Sequence, residues 1–237
     1  MRFRVLACDF DGTIATDAVV APATLSSLQR VRQSGRRLIL ITGRTGPQLE
    51  AVFGEWTLFD RIVLENGAVL IDPSIGAERL LCAPISGRLE PELRRRGVLP
   101  TAVGRAICAA SVRHLDAIRE AIRDLGLSLD VAINRGGVVI LPAGVSKSSG
   151  AAAALLDVGE PAEACVAVGD AENDLPMLAL AGCGVAVANA LDQVKAAADL
   201  VMLRPSGEGV SELAGGLLAG DLAAELAAAG GLRSARH

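Results

Sequence analysis

The sequence predicts an α/β fold: a doubly wound, mostly parallel sheet with a small α+β unit inserted into it. Short apolar runs alternate with helical periodicity up to about residue 77, and the alternation resumes from residue 143. These runs are apolar nearly throughout, as strands covered on both faces must be. Between them the rhythm changes. The expected organisation is therefore a core domain of residues 1–77 and 143–237 and an inserted α+β domain of residues 78–142.

Phe3 to Cys8 is the first buried strand and ends at acidic residues. Thr24 to Ser34 spaces Leu25, Leu28 and Val31 as one helix face, with Gly35 as its C-cap. Arg37 to Ile41 (RLILI) is the second strand, closed by Thr42-Gly43-Arg44. A helix over 47–53 leads to a third strand, 61–64, ended by Asn66-Gly67 and paired with 69–71 as a hairpin. The insert reads as strand 78–83, helix 86–96, strand 103–110, helix 112–125, then strands 128–133 and 137–141. Asn134-Arg135-Gly136-Gly137 is the turn signal between the last two. The core resumes with helix 150–156, strand 164–168 (ACVAV), helix 175–181, short strands 184–187 and 200–202, and one or two helices over 210–229.

A chain of 237 residues, half of them hydrophobic, can bury one large core or a core plus a small insert. With four Phe, one Trp and no Tyr, packing must rely on aliphatic side chains. The net charge of −4 is interspersed, which argues against a nucleic-acid partner. Arg94-Arg95-Arg96 reads as a solvated helix end. The five cysteines are odd in number and lack C-x-x-C spacing, so no disulfide framework or zinc site is expected and a reducing cytoplasm is the simplest setting. The N-terminus meets acidic residues too early for a signal peptide, and no run is long and apolar enough for a membrane span.

Ligands of open parallel sheets bind at the carboxyl ends of the strands. Asp9 and Asp11 follow the first strand, Thr42 the second, and Asp170, Asn173 and Asp174 the strand ACVAV; Lys147 sits just before a helix start. Carboxylates gathered this way repel one another unless a cation neutralises them. A small set of hard oxygen ligands suits Mg²⁺, which also binds substrate phosphate. Lys147, Thr42 and Asn173 are donors suited to phosphate oxygens. Acids, a metal and a ring of donors are what phosphoryl transfer requires. One aspartate can act as nucleophile while its neighbour protonates the leaving oxygen and later activates water.

Asp9-Phe10-Asp11-Gly12-Thr13 resembles the first motif of the haloacid dehalogenase-like (HAD) hydrolase superfamily. Thr42-Gly43-Arg44 resembles its second motif, Lys147 its third and GDAENDLPML (169–178) its fourth. Glu65-Asn66-Gly67 and VANALDQVKAAADLV (187–201) are similar to the Cof-type branch, whose cap lies between the second and third motifs. The resemblance implies a Rossmann-like core and a role for each motif residue. Asp9 would be nucleophile and Mg²⁺ ligand, and Asp11 general acid/base with its carbonyl on the metal. Thr13 would orient Asp11. Thr42 and Gly43, with Arg44 of the same motif, would hold the phosphoryl group, and Asn173 would hydrogen-bond the phosphate or orient Lys147. Lys147 would neutralise nucleophile and phosphate. Asp170 would bind Mg²⁺, with Asp174 in or next to the metal's coordination sphere.

The insert, about 65 residues long, resembles those of small-capped phosphoglycolate and sugar-phosphate phosphatases. Arg105, Asn134 and Arg135 are its candidate specificity residues. The expected partner is a small phosphorylated metabolite, met by a monomer or homodimer. Two alternatives stay open: phosphotransfer to a second hydroxyl, which uses the same residues, and a non-catalytic regulatory module on the same core.

Overall fold

A computed structural model describes residues 1–134 and 136–232. In chain order the strands are β1 (Val5–Asp9), β2 (Arg37–Ile41), β3 (Arg61–Leu64), β4 (Val69–Asp72), β5 (Ala77–Leu80), β6 (Ala102–Val103), β7 (Cys108–Ser111), β8 (Leu129–Asn134), β9 (Gly137–Pro142), β10 (Cys165–Gly169), β11 (Cys183–Ala186) and β12 (Leu200–Val201). The helices are α1 (Pro22–Gln33), α2 (Gly46–Glu50), α3 (Leu89–Arg95), α4 (Leu115–Asp124), α5 (Lys147–Asp157), α6 (Leu175–Leu180), α7 (Asp192–Ala197), α8 (Ser206–Gly220) and α9 (Ala223–Ala228).

The main sheet has the order β12-β11-β10-β1-β2-β3-β4-β5. It is parallel from β12 to β3, and β4 and β5 extend it antiparallel. Every residue of β1 and β10 is buried, so both faces are covered. Helices α1 and α8 pack together, as do α5 and α6, and both α1 and α5 lie against β2. Ile39, Leu40 and Ile41 of β2 are fully buried, each contributing roughly 1.5–3 kcal/mol through removal from water. Among the described residues no helix is long and apolar enough to cross a membrane.

The second sheet, β6-β7-β9-β8, is antiparallel and carries α3 and α4 on one face. Side chains alternate along its strands. Cys108 and Ala110 of β7 and Val138 and Ile140 of β9 join Leu93 and Ile118 in a separate small core. The intervening Ala109 and Val139 point the other way, towards the main sheet's carboxyl edge.

The insert departs from expectation in two places. The strand expected over 78–83 belongs to the main sheet: β5 pairs with β4 across a tight turn. The single strand expected over 103–110 is a hairpin, β6–β7, because the amides of Arg105 and Ala106 leave the ladder to reach the Glu65 carboxylate. One helix, α7, has no counterpart in the expected elements.

None of the five cysteines is in a disulfide; four are buried and Cys82 is half-buried. Burial pushes the thiols of Cys108 and Cys165 up to about 11 and about 12 and raises that of Cys8 further, so they stay protonated and unreactive. Brief alkylation of the folded protein, read by peptide mass spectrometry, is expected to modify Cys82 first. Equal labelling of Cys8 would contradict the closed core.

Candidate active site

The site forms where the main sheet reverses its winding. From β1 the chain proceeds to β2 and β3 on one side, and later to β10, β11 and β12 on the other. The carboxyl ends of β1 and β10 therefore flank the crevice at which such sheets bind ligands. Asp9 ends β1 and Asp170 follows β10, on strands paired directly in parallel.

Three aspartates converge there. Ligand oxygens of Asp9, Asp170 and Asp174 lie within 4.8 Å of one another, and the residues are 3%, 0% and 0% exposed. Lys147, 2% exposed, donates to Asp9 Oδ1 at 2.5 Å and to Asp174 Oδ1 at 2.6 Å. It is the first residue of α5, which Ser146 caps by accepting the Ser149 amide. The helix start sits close against the turn after β3: a Cβ on Gly67, whose φ is +111°, would collide with the Ser146 carbonyl. That approach brings the lysine to the aspartates. Burial and the neighbouring Asp174 push the Asp9 carboxyl up to about 7, against the pull of Lys147. Burial would lower the Lys147 ammonium, but Asp174 and Asp9 outweigh it and raise it, so the lysine stays charged.

The remaining contacts divide the aspartates by task. Asp174 spends Oδ2 on the amides of Asp170 and Ala171, at 2.9 and 3.0 Å, and Oδ1 on Lys147, so it shapes the loop after β10. Asp170 accepts the Thr13 hydroxyl at 3.2 Å. Gly12 has φ +80°, and a Cβ there would run into the Asp170 carboxylate. Its carbonyl accepts Asn189 Nδ2 at 2.8 Å and Ser206 Oγ at 3.0 Å, which clamps the loop carrying Asp11.

A cavity of about 450 Å³ opens over this floor. Asp9, Asp11, Gly43, Arg44, Lys147 and Asn173 contribute from the core, and Thr101, Ala102, Ile107, Ala109 and Val139 form the roof. Arg44 grips Asp11 with two parallel bonds, Nε to Oδ2 at 2.8 Å and Nη2 to Oδ1 at 2.6 Å. Thr42 is fully buried, and its hydroxyl accepts the Arg44 amide at 3.1 Å. Asn173 Nδ2 donates to Asn66 Oδ1 at 3.0 Å, while Asn173 Oδ1 is buried with no partner among the described residues. Asn66, left-handed at φ 54° after β3, also lines the cavity.

A family model for haloacid dehalogenase-like hydrolases matches residues 6–86 and 106–213. The chain belongs to this family. Phosphoglycolate phosphatase of Methanothermobacter thermautotrophicus is 30% identical over 223 residues, covering 88% of this chain and 96% of that protein. In fold the hydrolase resembles Thermoplasma acidophilum protein 0175, with a TM-score of 0.77 at 19% identity over 90% of this chain and 97% of the other. A HAD subclass IIB sugar phosphatase superposes with a TM-score of 0.69 at 18% identity over 89% and 97%.

The structure gives two of the expected site residues of this hydrolase other partners. Thr13 meets Asp170 and not Asp11. Arg105 is exposed and its side chain pairs with Glu78 away from the cavity, while its amide donates to Glu65 and its carbonyl accepts the Ile85 amide. Arg135 lies outside the described residues, and Asn134 is described as the last residue of β8. Chemical pattern pointed to none of the roof residues. Asn66 had a positional signal, since it follows the third parallel strand.

Sequence reasoning also missed the tie between the two units. Glu65, 3% exposed, accepts the amides of Arg105 at 3.0 Å and Ala106 at 2.8 Å. Glu65→Ala is expected to cost about 1.5–3 kcal/mol, since one buried and one part-buried amide lose a charged acceptor. It should also raise KM by loosening the roof. Urea unfolding and steady-state kinetics check this; an unchanged KM would mean that the tie does not position the roof.

Proposed function

We propose that this hydrolase is a magnesium-dependent phosphatase of small phosphorylated metabolites, with Asp9 as nucleophile and phosphoglycolate as the first substrate to consider. The observation that carries the reading is the buried cluster of Asp9, Asp170 and Asp174 around Lys147 on the cavity floor. One ammonium does not balance three buried carboxylates, and the deficit fits a hard divalent cation. Because both Asp174 oxygens already serve chain donors, Asp9 and Asp170 are the side chains to hold it. Mg²⁺ bound there would supply positive charge to the carboxylates and to the phosphate oxygens.

An Asp9 oxygen attacks phosphorus as the ester P–O bond breaks, and the leaving oxygen takes a proton carried by Asp11. Water then attacks the phosphorus of the aspartyl-phosphate, returning its proton to Asp11 and freeing Asp9 and inorganic phosphate. Lys147 holds Asp9 in place for attack, and Asn173 and the Gly43 backbone meet the phosphoryl oxygens. The phosphoglycolate phosphatase similar along nearly its whole length supports the substrate class.

Sugar phosphates are the second class. Asn173 Oδ1, which lines the cavity floor and is buried with no partner among the described residues, would accept a sugar hydroxyl. Phosphate release from 2-phosphoglycolate and a set of sugar phosphates, with and without Mg²⁺, tests the reading. Metal-dependent release supports it and ranks the substrates. Isomerised product without free phosphate would replace it with phosphotransfer, and no reaction with any ester would leave a regulatory module.

A further inference from the structure

We infer that Arg44 is the receptor for a carboxylate on the leaving group, and that Asp11 occupies this receptor until such a substrate arrives. The inference rests on the phosphatase reading and adds to it a specificity residue and a coupling between recognition and proton transfer.

Cations are few around the cavity. Among its described lining residues only Lys147 and Arg44 carry positive charge. Lys147 is buried and bonded to Asp9 and Asp174, so its charge serves the reacting end. The roof of Thr101, Ala102, Ile107, Ala109 and Val139 is uncharged. A phosphate ester of a small hydroxy acid brings a second anion, and Arg44 is the group placed to meet it.

The guanidinium already shows that geometry. Its two bonds to Asp11 are the parallel fork with which arginine reads carboxylates. Its plane is steadied from elsewhere: the guanidinium carbon lies 5.3 Å from the Phe10 ring centroid, and Nη1 approaches the Gln48 carbonyl at 3.4 Å. The Asp11 side chain is 48% exposed. Water can therefore solvate it on release, and exchanging one carboxylate for another costs little.

The exchange has a catalytic consequence. While both Asp11 oxygens accept from Arg44, Asp11 cannot offer a proton to the ester oxygen. A substrate carboxylate that takes the fork frees Asp11 to turn to the leaving group. A neutral leaving group leaves Asp11 held. Discrimination then appears in kcat as well as KM, because the contact completes the catalytic set.

The test compares 2-phosphoglycolate with 2-hydroxyethyl phosphate, which replaces the carboxylate by a hydroxymethyl group, with Mg²⁺ present. Wild type should favour 2-phosphoglycolate. Arg44→Gln should lower the ratio of the two kcat/KM values by about 10- to 100-fold, the range of one lost charged hydrogen-bonding contact. Arg44→Lys should fall between, keeping the charge without the fork. On an Asp9→Asn background, which holds substrate without turnover, adding Asp11→Ala should tighten 2-phosphoglycolate binding several-fold in calorimetry and leave 2-hydroxyethyl phosphate unaffected. A merely structural arginine would not give this gain. An unchanged ratio in Arg44→Gln, equal gains for both ligands, or a wild-type ratio near one would overturn the inference and leave the phosphatase reading standing. Failure to release phosphate from any ester would overturn that reading itself.

Discussion

Lys147→Met is expected to destabilise the metal-free protein by about 3–5 kcal/mol, the scale for removing one partner of a buried ion pair. The ammonium lies 2.5 Å from Asp9 and 2.6 Å from Asp174, all three groups buried. Methionine fills similar space but leaves the aspartates facing one another without compensation. Turnover should be lost as well. The sign of the pH effect follows from the raised Asp9 carboxyl. An acid whose folded pKa lies above its unfolded value destabilises increasingly as pH rises between the two. The penalty of the substitution should therefore be larger at pH 8 than at pH 5, and Mg²⁺ should recover part of the stability without restoring turnover. Urea unfolding in chelator and in Mg²⁺ at both pH values measures this. A midpoint equal to wild type at pH 8 would mean that Lys147 does not offset the aspartates.

Asp9→Asn is expected to reduce turnover by at least about 10⁴-fold, over roughly 5 kcal/mol of transition-state stabilisation, as loss of a nucleophile does. Its effect on stability should be opposite. Burial and Asp174 raise the Asp9 carboxyl from 3.8 to about 7, so ionising it in the metal-free fold costs stability above that range. Asparagine removes the charge and can still accept from Lys147. In chelator at pH 8 the variant should melt at a higher temperature than wild type, and the gain should fade as pH falls towards 4. Loss of activity together with a lower melting temperature at pH 8 would contradict the charge balance drawn for the site. The pairing of opposite effects is the ordinary relation between a functional residue and the stability it lowers.

The parts of the fold legible in the sequence are those where one physical demand dominates. RLILI and RIVL must be buried on both faces, and β2 and β3 occupy the expected ranges. β5, with sequence AERL, is largely exposed, so its pattern says nothing about which sheet it joins. The β6–β7 break depends on Glu65, some 40 positions away, and no local signal announces it. At the site, the rule that ligands bind at strand ends brought Asp9, Asp11, Thr42, Lys147, Asp170, Asn173 and Asp174 to one edge; Asp9, Asp11, Lys147 and Asn173 line one cavity, together with Gly43 and Arg44, which the family resemblance supplied. The pairings among them depend on side-chain direction: Thr13 to Asp170, Arg44 to Asp11, Arg105 to Glu78. Asn189, in the loop after β11, and Ser206, the first residue of α8, support the Gly12 carbonyl from segments whose composition carries no chemistry of its own.

The Glu65 tie holds main-chain amides and no side chain of the hairpin it grips. Every residue except proline presents an amide, so the anchorage is blind to what those positions spell. Thr101, Ala102, Ile107 and Ala109 can therefore drift, or be rewritten by a designer, while the roof stays moored; Gly104 cannot, because a Cβ there would run into the Glu65 carboxylate. New substrate preferences can be tried on the roof by replacing Thr101, Ala102, Ile107 or Ala109 without touching the catalytic floor, and a library confined to these positions samples selectivity at little risk to the chemistry beneath.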